Sequence, residues 1–594
     1  MKILYGSYPV AMFKHLTFYN SLTETHRKWI DSLFVFLFIF LLCYPTIPYG
    51  LDLTDHGFFL TNHDLANHLG IQHVKVASVW WFSDVVGGWW LKITDGYGAW
   101  GARLGQVILI SLNGMLATRI LLQVFKPSAS LIFVMTVSGL FSRPMLTNIL
   151  SYDTVPVLFF LFFGLFFIKL NDDPSKLLYQ ILAGLSLFFL ILSRWALATV
   201  FCIPLLSLLA SLYFKKIQIK AIFISYIKMV ATVLLLFVLF GTYLWSQNQL
   251  HNYIFFTRPS GIYNLSNLFT IYKSQLTGKI LYCTLLFGVP FSFYLFLKKY
   301  EFTRSRELGI ILFCLFLIVS LLPLSSDLHW LFPCVKISDV YTCLYLILTF
   351  ISFICIYFLR ESVSFSAIIL FFLGALFPPF RTLGSGTGFL AINVGMSLLL
   401  GITISFIFRV ILLNKFQYCK RPLLLTKSIL LTIALLCGIR YTYFYTFREP
   451  NSRSEMTSEL QSPRMKGIYT SLSRQQSFDA LIHEISKYVK NGDRILAYPD
   501  IPMVYFASRT LPLGNFCWIN ILAGSSLSKI TEEFSERPKL VVKSKNVQFL
   551  VNNDPSKTNL LDQACKDKWN LNLIWSNLDF DVYLTQDKSE LIVP

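Results

Sequence analysis

Charge is scarce in this 594-residue chain: only 14% of its residues are Asp, Glu, Lys or Arg, against about a quarter in an ordinary soluble domain. Acidic residues are the scarcer kind, 32 against 51 basic ones. So little charge excludes a soluble globular enzyme. An aromatic content of 16% excludes a disordered tail protein, which is poor in such residues. The usual phosphate- and metal-handling motifs are missing too: the chain has no P-loop, no Rossmann glycine fingerprint, no HExxH and no paired CxxC. It also lacks the internal repeat of many transporter folds. No small-residue cleavage pattern follows the first apolar run, which begins some thirty residues in and reads as an uncleaved anchor.

What fills the chain is apolar: 55% of residues, 56 of them phenylalanine. The character changes near Arg440. Residues 1–440 hold 33 basic and 15 acidic residues, whereas 441–594 hold 18 and 17 and contain no long apolar run. The first part reads as a polytopic α-helical membrane domain and the second as a compact soluble domain of ordinary size. A bilayer core of about 30 Å needs some 17–25 apolar residues per crossing. Such runs lie near 32–49, 102–122, 128–144, 153–169, 177–193, 196–214, 222–245, 279–297, 308–324, 338–358, 363–379, 388–413 and 423–440, about thirteen transmembrane helices. Lys and Arg collect in alternate connections, which orients the chain with its N-terminus in the cytoplasm. On that assignment the inner segments hold 22 basic and 7 acidic residues and the outer ones 11 and 8. An odd number of crossings puts the C-terminal domain outside. The net charge of +19 therefore records topology, and no nucleic-acid partner is expected.

The outer side is where chemistry is expected. Its first loop, residues 50–101, opens with Asp52 and Asp55 immediately after a membrane span. A carboxylate there suits a general base taking a proton from an acceptor hydroxyl while a phosphate leaves; equally, Asp is a good helix cap. Trp80, Trp81, Trp89 and Trp90 flank Gly87-Gly88, as in a helix lying in the headgroup layer. His56, His63, His68 and His73, with Asp64, share this loop. No metal is expected, since the five-residue spacings give no ligand face; the competing reading is a divalent metal near His56, His63 and Asp64. Further outer candidates are Arg143, Tyr152, Asp153, Arg194, Arg258, Asp327, His329, Lys336 and Arg381. Ionisable residues at membrane edges are costly unless paired, and cationic ones facing a common cavity would hold a carrier phosphate. The competing reading for each Arg or Lys is snorkelling to the interface.

In the C-terminal part, 475–490 has helical apolar spacing and ends at Gly492. Strands are expected at 494–498, 539–543, 547–551, 571–576 and 580–585, with helices through 504–506 and near 528–536 and 558–568. The alternation predicts a small α/β layer structure. Asp579-Phe580-Asp581 has the form of a DxD motif, but strand alternation explains it better. Cys517 and Cys565 are the only cysteines of the eleven in this part, and they could pair in an oxidising compartment.

A first span ending in an outer loop with an early Asp, a multi-span core and an outer C-terminal domain resembles the GT-C glycosyltransferases. Closest in layout are those that transfer mannose or aminoarabinose from polyprenyl phosphate. DHGFFLT, VVGGWW, LSYD and SPRMKGIY…LAYPDIPMVYF resemble a group of bacterial multi-span proteins described as GT-C-like or of unknown function. The resemblance implies a GT-C-like fold and a metal-sparing, inverting transfer from a lipid-phosphate sugar, with Asp55 as base and Asp52 second. Where the mannosyltransferases usually carry Asp-Glu, His56 follows Asp55 here. The implied enzyme is a glycosyltransferase of the bacterial inner membrane with a periplasmic C-terminal domain. Its donor would be a polyprenyl-phosphate-linked sugar, its acceptor a glycan, lipid or protein, and its surroundings membrane lipids. Tyr152 and Asp153 would line the sugar pocket, Arg194, Lys336 and Arg381 would bind phosphate, and Asp327 and His329 would complete the substrate-binding set. Competing expectations are a transporter or flippase of lipid-linked glycans, and a surface-polysaccharide polymerase or ligase. The first calls for charges in mid-span and broken helices.

Overall fold

Runs of apolar residues with no polar face become helices, because a backbone in lipid must satisfy its own hydrogen bonds. The computed structural model describes residues 22–73, 77, 79–125, 149–213, 219–256, 270, 272–273, 337–359, 362–383, 395–413, 449, 452–515, 517, 536–545 and 555–586. In chain order its helices are α1 (Glu24–Cys43), α2 (Asp55–Leu69), α3 (Trp81–Ile93), α4 (Gly98–Val124), α5 (Val155–Asp172), α6 (Leu177–Ser193), α7 (Cys202–Tyr213), α8 (Ile219–Ser246) and α9 (Leu250–Phe256). After these come α10 (Ile337–Phe358), α11 (Phe365–Thr382), α12 (Met396–Leu413), α13 (Leu472–Tyr488), α14 (Met503–Ser508) and α15 (Pro555–Lys568).

Among the described residues, six helical segments are long and apolar enough to cross a membrane: Glu24–Thr46, Asp95–Val124, Val155–Asp172, Trp195–Leu212, Ile219–Ser246 and Phe365–Thr382. Leu177–Ser193, Tyr345–Tyr357 and Met396–Phe406 are shorter apolar helices. The chain is a multi-pass, mainly helical membrane protein. The runs expected near 128–144, 279–297, 308–324 and 423–440 lie outside the described residues. The runs expected on either side of Arg194 are separate: α6 stops at Ser193, Arg194 is extended (φ −164°, ψ 111°), and a 3-10 segment covers Trp195–Phe201.

Helix association within lipid rests on close packing, since lipid is as apolar as the side chains. The membrane core joins α4, α5, α6, α10, α11 and α12. At its centre the Phe160 and Phe377 rings stack at 3.7 Å. The outward sides of α1 and α8 leave Leu37, Leu41, Leu234, Leu235 and Val238 exposed, as lipid-facing surfaces.

Among the described residues seven short strands follow: β1 (Ser458–Glu459), β2 (Tyr469–Thr470), β3 (Arg494–Tyr498), β4 (Leu511–Pro512), β5 (Leu540–Ser544), β6 (Asn570–Ser576) and β7 (Phe580–Gln586). β1 and β2 form a small antiparallel pair. The other five make a mixed sheet of order β4-β3-β5-β7-β6. β3 is parallel to β4 and β5, while β7 is antiparallel to both β5 and β6. Strand side chains alternate between faces. Ile495, Ala497, Leu540 and Val542 therefore meet α13, α14 and the segment between α1 and α4. Leu496, Tyr498 and Val541 meet α15 on the other face.

The same alternation overturns the expected cysteine pairing. Cys517 belongs to the first of these cores and Cys565 to the second, so the sheet lies between them and each is a buried free thiol. The strands and helices expected in this part occur where described, whereas the helix near 528–536 and the strand at 547–551 fall outside. Asp581 lies in β7 and is held by the Ser576 hydroxyl at 2.7 Å and by Lys545 Nζ at 3.1 Å.

Candidate functional site

The site begins where α1 releases the chain. The connection that follows α1 is irregular and its carbonyls need donors from elsewhere, which Arg103 of α4 supplies. Its Nη1 donates to the carbonyls of Ile47 (2.9 Å) and Tyr49 (3.0 Å), and its Nη2 to that of Gly50 (2.5 Å). Nη2 also stands 3.4 Å from His56 Nδ1. Arg103 is only 1% exposed. The hydropathy of its run conceals it, since it reads as an interruption near the start of a membrane span.

Asp52 forms the next turn. Its Oδ1 accepts from the Thr54 N–H (2.9 Å) and hydroxyl (2.7 Å), and its Oδ2 from the His56 N–H (3.0 Å). Asp52 thereby closes the N-terminus of α2 with a side chain suited to capping. Asp55 is the first residue of α2 and is half-buried. A carboxylate in the first helical turn is favoured by the helix dipole.

Four residues on, and so on the same face of α2, Phe59 packs on Tyr152 with ring centroids 5.3 Å apart. Trp80 meets the Tyr152 ring at 5.2 Å. Beneath this aromatic shelf lies a charged cluster drawn from three membrane helix ends. Asp153, just before α5, receives Arg194 Nη1 at 2.6 Å and Arg381 Nη1 at 3.0 Å on one carboxylate oxygen. Arg381 also donates to the Asp153 carbonyl at 3.2 Å. The Arg194 guanidinium lies 5.3 Å from the Tyr152 ring centroid. Arg381 is fully buried and Arg194 is 8% exposed. Arg194 stands at the break after α6, and Arg381 lies in the last turn of α11, which carries Pro378-Pro379 just before it.

The structure therefore brings together four of the expected residues, Tyr152, Asp153, Arg194 and Arg381, and links them through Phe59 to the helix that begins at Asp55. Arg143, Arg258, Asp327, His329 and Lys336 lie outside the described residues.

The histidines and Asp64 go separate ways. His56 faces Arg103, and Asp64 forms a two-pronged ion pair with Arg464, Nη2 to Oδ1 measuring 3.0 Å. His63 is buried against α3, where any side chain at Gly87 would overlap its ring. Burial, with the charge of nearby His73 adding to it, pushes the His63 imidazole down to about 3. His73 Nε2 and Asp84 Oδ2 form a buried pair at 3.1 Å. Burial raises the Asp84 carboxyl above its ordinary value, opposed by the hydrogen bond to His73. Among the described residues, no three His, Cys, Asp or Glu side chains are grouped to hold a metal.

The C-terminal part packs directly on this loop. Met503 N donates to the Leu53 carbonyl at 3.1 Å, and the Thr61 hydroxyl donates to the Pro502 carbonyl at 2.9 Å. A Cβ at Gly57 would come within 2.6 Å of Met503 Cα, so α2 needs glycine there to meet α14. Arg474 bridges Glu449 (2.5 Å) and the Leu51 carbonyl (2.9 Å). The segments SPRMKGIY and LAYPDIPMVYF thus close over DHGFFLT.

No family model and no curated protein matches the chain. Among solved structures, it is similar to ArnT from Cupriavidus metallidurans bound to undecaprenyl phosphate. That likeness has a TM-score of 0.42 at 11% identity, over 93% of this chain and 97% of the other. It is also similar to the archaeal oligosaccharyltransferase AglB from Archaeoglobus fulgidus in complex with an inhibitory peptide and a dolichol-phosphate. There the TM-score is 0.46 at 10% identity, over 95% of this chain and 75% of the other. These are distant likenesses, and neither fixes a role for any residue of this chain.

Proposed function

We propose that this chain is an integral-membrane glycosyltransferase. It moves a sugar from a polyprenyl-phosphate donor to an acceptor at the outer face of a bacterial inner membrane. The observation that carries the reading is the convergence of Arg194 and Arg381 on Asp153 at one end of the membrane helices, under an aromatic shelf next to the helix that Asp55 begins. Guanidiniums match phosphate oxygens in two-pronged geometry. Buried beside lipid, they stabilise charge far better than in water. A polyprenyl tail would stay in the hydrocarbon while its phosphate meets these arginines. Tyr152 and Trp80 offer ring faces to the sugar.

In the reaction the acceptor oxygen bonds to the anomeric carbon as the bond from that carbon to the phosphate oxygen breaks. The bonding pair leaves with the polyprenyl phosphate, whose charge Arg194 and Arg381 stabilise. The acceptor proton passes to Asp55, and the configuration inverts. Asp52 keeps the turn that presents Asp55.

The test uses membranes supplied with a labelled lipid-linked sugar. Asp55→Asn should lower transfer by at least about 10²-fold, the usual contribution of a general base, while polyprenyl phosphate binding persists. Undiminished transfer by Asp55→Asn would remove Asp55 from its role.

A further inference from the structure

At the opposite end of the same helices, a second cationic cluster has no part in the proposed chemistry. α5 leads away from Asp153 and α6 leads back to Arg194, so the turn between them lies on the far side of the membrane layer from the site. Lys169 sits in the last turn of α5, and Lys176 is the residue before α6. Both ammoniums stand 5.5 Å from the Tyr179 ring centroid. Arg119, near the end of α4, joins them at the same depth: α4 and α5 are tied near Asp153 by the Thr154 hydroxyl donating to Gln106 Oε1 at 3.1 Å, and further along Ile120 packs against Gly164, so that both helices carry their cation at the same end. Lys176 has a neighbour in Asp173 at 3.3 Å, an exposed pair that water screens. Asp172 is engaged by the Ser366 hydroxyl at 2.7 Å.

Arg119 is the telling member. It is 8% exposed, yet its buried Nη1 has no hydrogen-bond partner among the described residues. Its guanidinium lies 4.9 Å from the centroid of the Trp29 ring. A cation–π contact returns part of the lost hydration, but it gives the N–H groups no acceptor. A buried guanidinium N–H without an acceptor is costly. Trp29 is itself 45% exposed, at the level where indoles meet lipid headgroups.

We propose that Arg119, Lys169 and Lys176 form a binding site for the phosphate of an anionic phospholipid, in the leaflet opposite to the Asp153 cluster. The headgroup phosphate accepts from Arg119 Nη1 and from the two ammoniums, and the acyl chains run down the lipid-exposed side of α1 below Trp29. Basic pockets between membrane helices recognise lipids in this manner. The site is independent of the transferase reading, because none of its residues belongs to that chemistry.

The experiment titrates the purified full chain in detergent with phosphatidylglycerol, with phosphatidylcholine and with inorganic phosphate, following bound lipid by native mass spectrometry and unfolding by heat. Phosphatidylglycerol should bind and raise the unfolding temperature, and Arg119→Gln should weaken its binding about tenfold or more, the worth of one charged hydrogen bond. Lys176→Gln, at an exposed position that does not threaten folding, should weaken it by a smaller factor. Equal phosphatidylglycerol binding by the wild type and both variants overturns the site. Equal protection by phosphatidylcholine overturns the selection for net negative charge. Protection by inorganic phosphate alone, lost in Arg119→Gln, overturns the lipid as occupant in favour of a soluble anion.

Discussion

Asp153→Asn isolates the central contact of the site. Asp153 holds two guanidiniums at 2.6 and 3.0 Å, and Arg381 is fully buried. Removing one partner of a buried ion pair costs about 3–5 kcal/mol. Two features reduce that here: the Asp153 side chain is 24% exposed, so water screens part of the interaction, and Asn keeps one acceptor oxygen. A loss of about 2–3 kcal/mol is expected for the ligand-free protein, which is roughly a 30- to 150-fold change in the folded-to-unfolded ratio. The same substitution has an opposite consequence for the donor. With the carboxylate gone, the arginines favour an external anion more strongly, so polyprenyl phosphate should recover most of the lost stability. The assay is unfolding in detergent of wild type and Asp153→Asn, each with and without polyprenyl phosphate. A ligand-free difference below about 0.5 kcal/mol would refute the reasoning that Asp153 neutralises the pair. Loss without recovery would refute the assignment of the pair to phosphate.

Three further outcomes follow from particular contacts. Gly57→Ala must push α14 away from α2, because the added methyl would overlap the Met503 backbone, with Cα only 2.6 Å away; a cost of about 1–3 kcal/mol is expected, read as increased proteolysis of the C-terminal part. His63 titrates near 6.5 when unfolded and at about 3 when folded, so the unfolded state takes up the proton first. Its contribution to stability is complete above pH 6.5 and falls as pH drops toward 3, by up to about 1.4 kcal/mol per pH unit. Asp84, raised by burial, slopes the other way, so the decisive quantity is the difference between wild type and His63→Gln, whose acid limb should be flatter. Finally, Asp64→Arg and Arg464→Asp should each loosen the C-terminal part, and the double swap should restore it in limited proteolysis; failure of the double variant to improve on either single one would show that the ion pair does not couple the two.

Much of the helical layer is legible in the sequence because lipid imposes a length and an absence of charge that few other environments demand. The C-terminal strands are legible for a different reason: β3 and β5, covered on both faces, are short apolar runs, and β7 alternates over its first residues. The join at Arg194 is visible only as a charged residue among apolar ones, and its extended backbone has no local signature. The site cluster is harder still. Asp153 and Arg381 are 228 positions apart, and nothing in either neighbourhood names the other. Asp64 illustrates the same limit from the other side: placed with histidines in the sequence, it is taken by Arg464, 400 positions away. Arg103 is missed because its partners are backbone carbonyls, which carry no side-chain identity to read.

The contacts of α2 argue against treating the C-terminal part as a loose appendage. α2 is fixed from below by Arg103 gathering the carbonyls of Ile47, Tyr49 and Gly50. It is fixed from above by Met503 on Leu53, by Pro502 on Thr61 and by Arg464 on Asp64. Between these restraints Phe59 meets Tyr152 and hence the arginine pair. A catalytic carboxylate must be held to within a fraction of an ångström to be useful, and a helix that only bordered the lipid would have one side unrestrained. The C-terminal sheet supplies the second side. Its strands contribute no catalytic group to the proposed transfer, but β3 leads directly into the Pro499–Met503 segment that grips α2. On the transferase reading, perturbing that segment should reduce turnover through the position of Asp55 while leaving the Arg194–Asp153–Arg381 contacts in place.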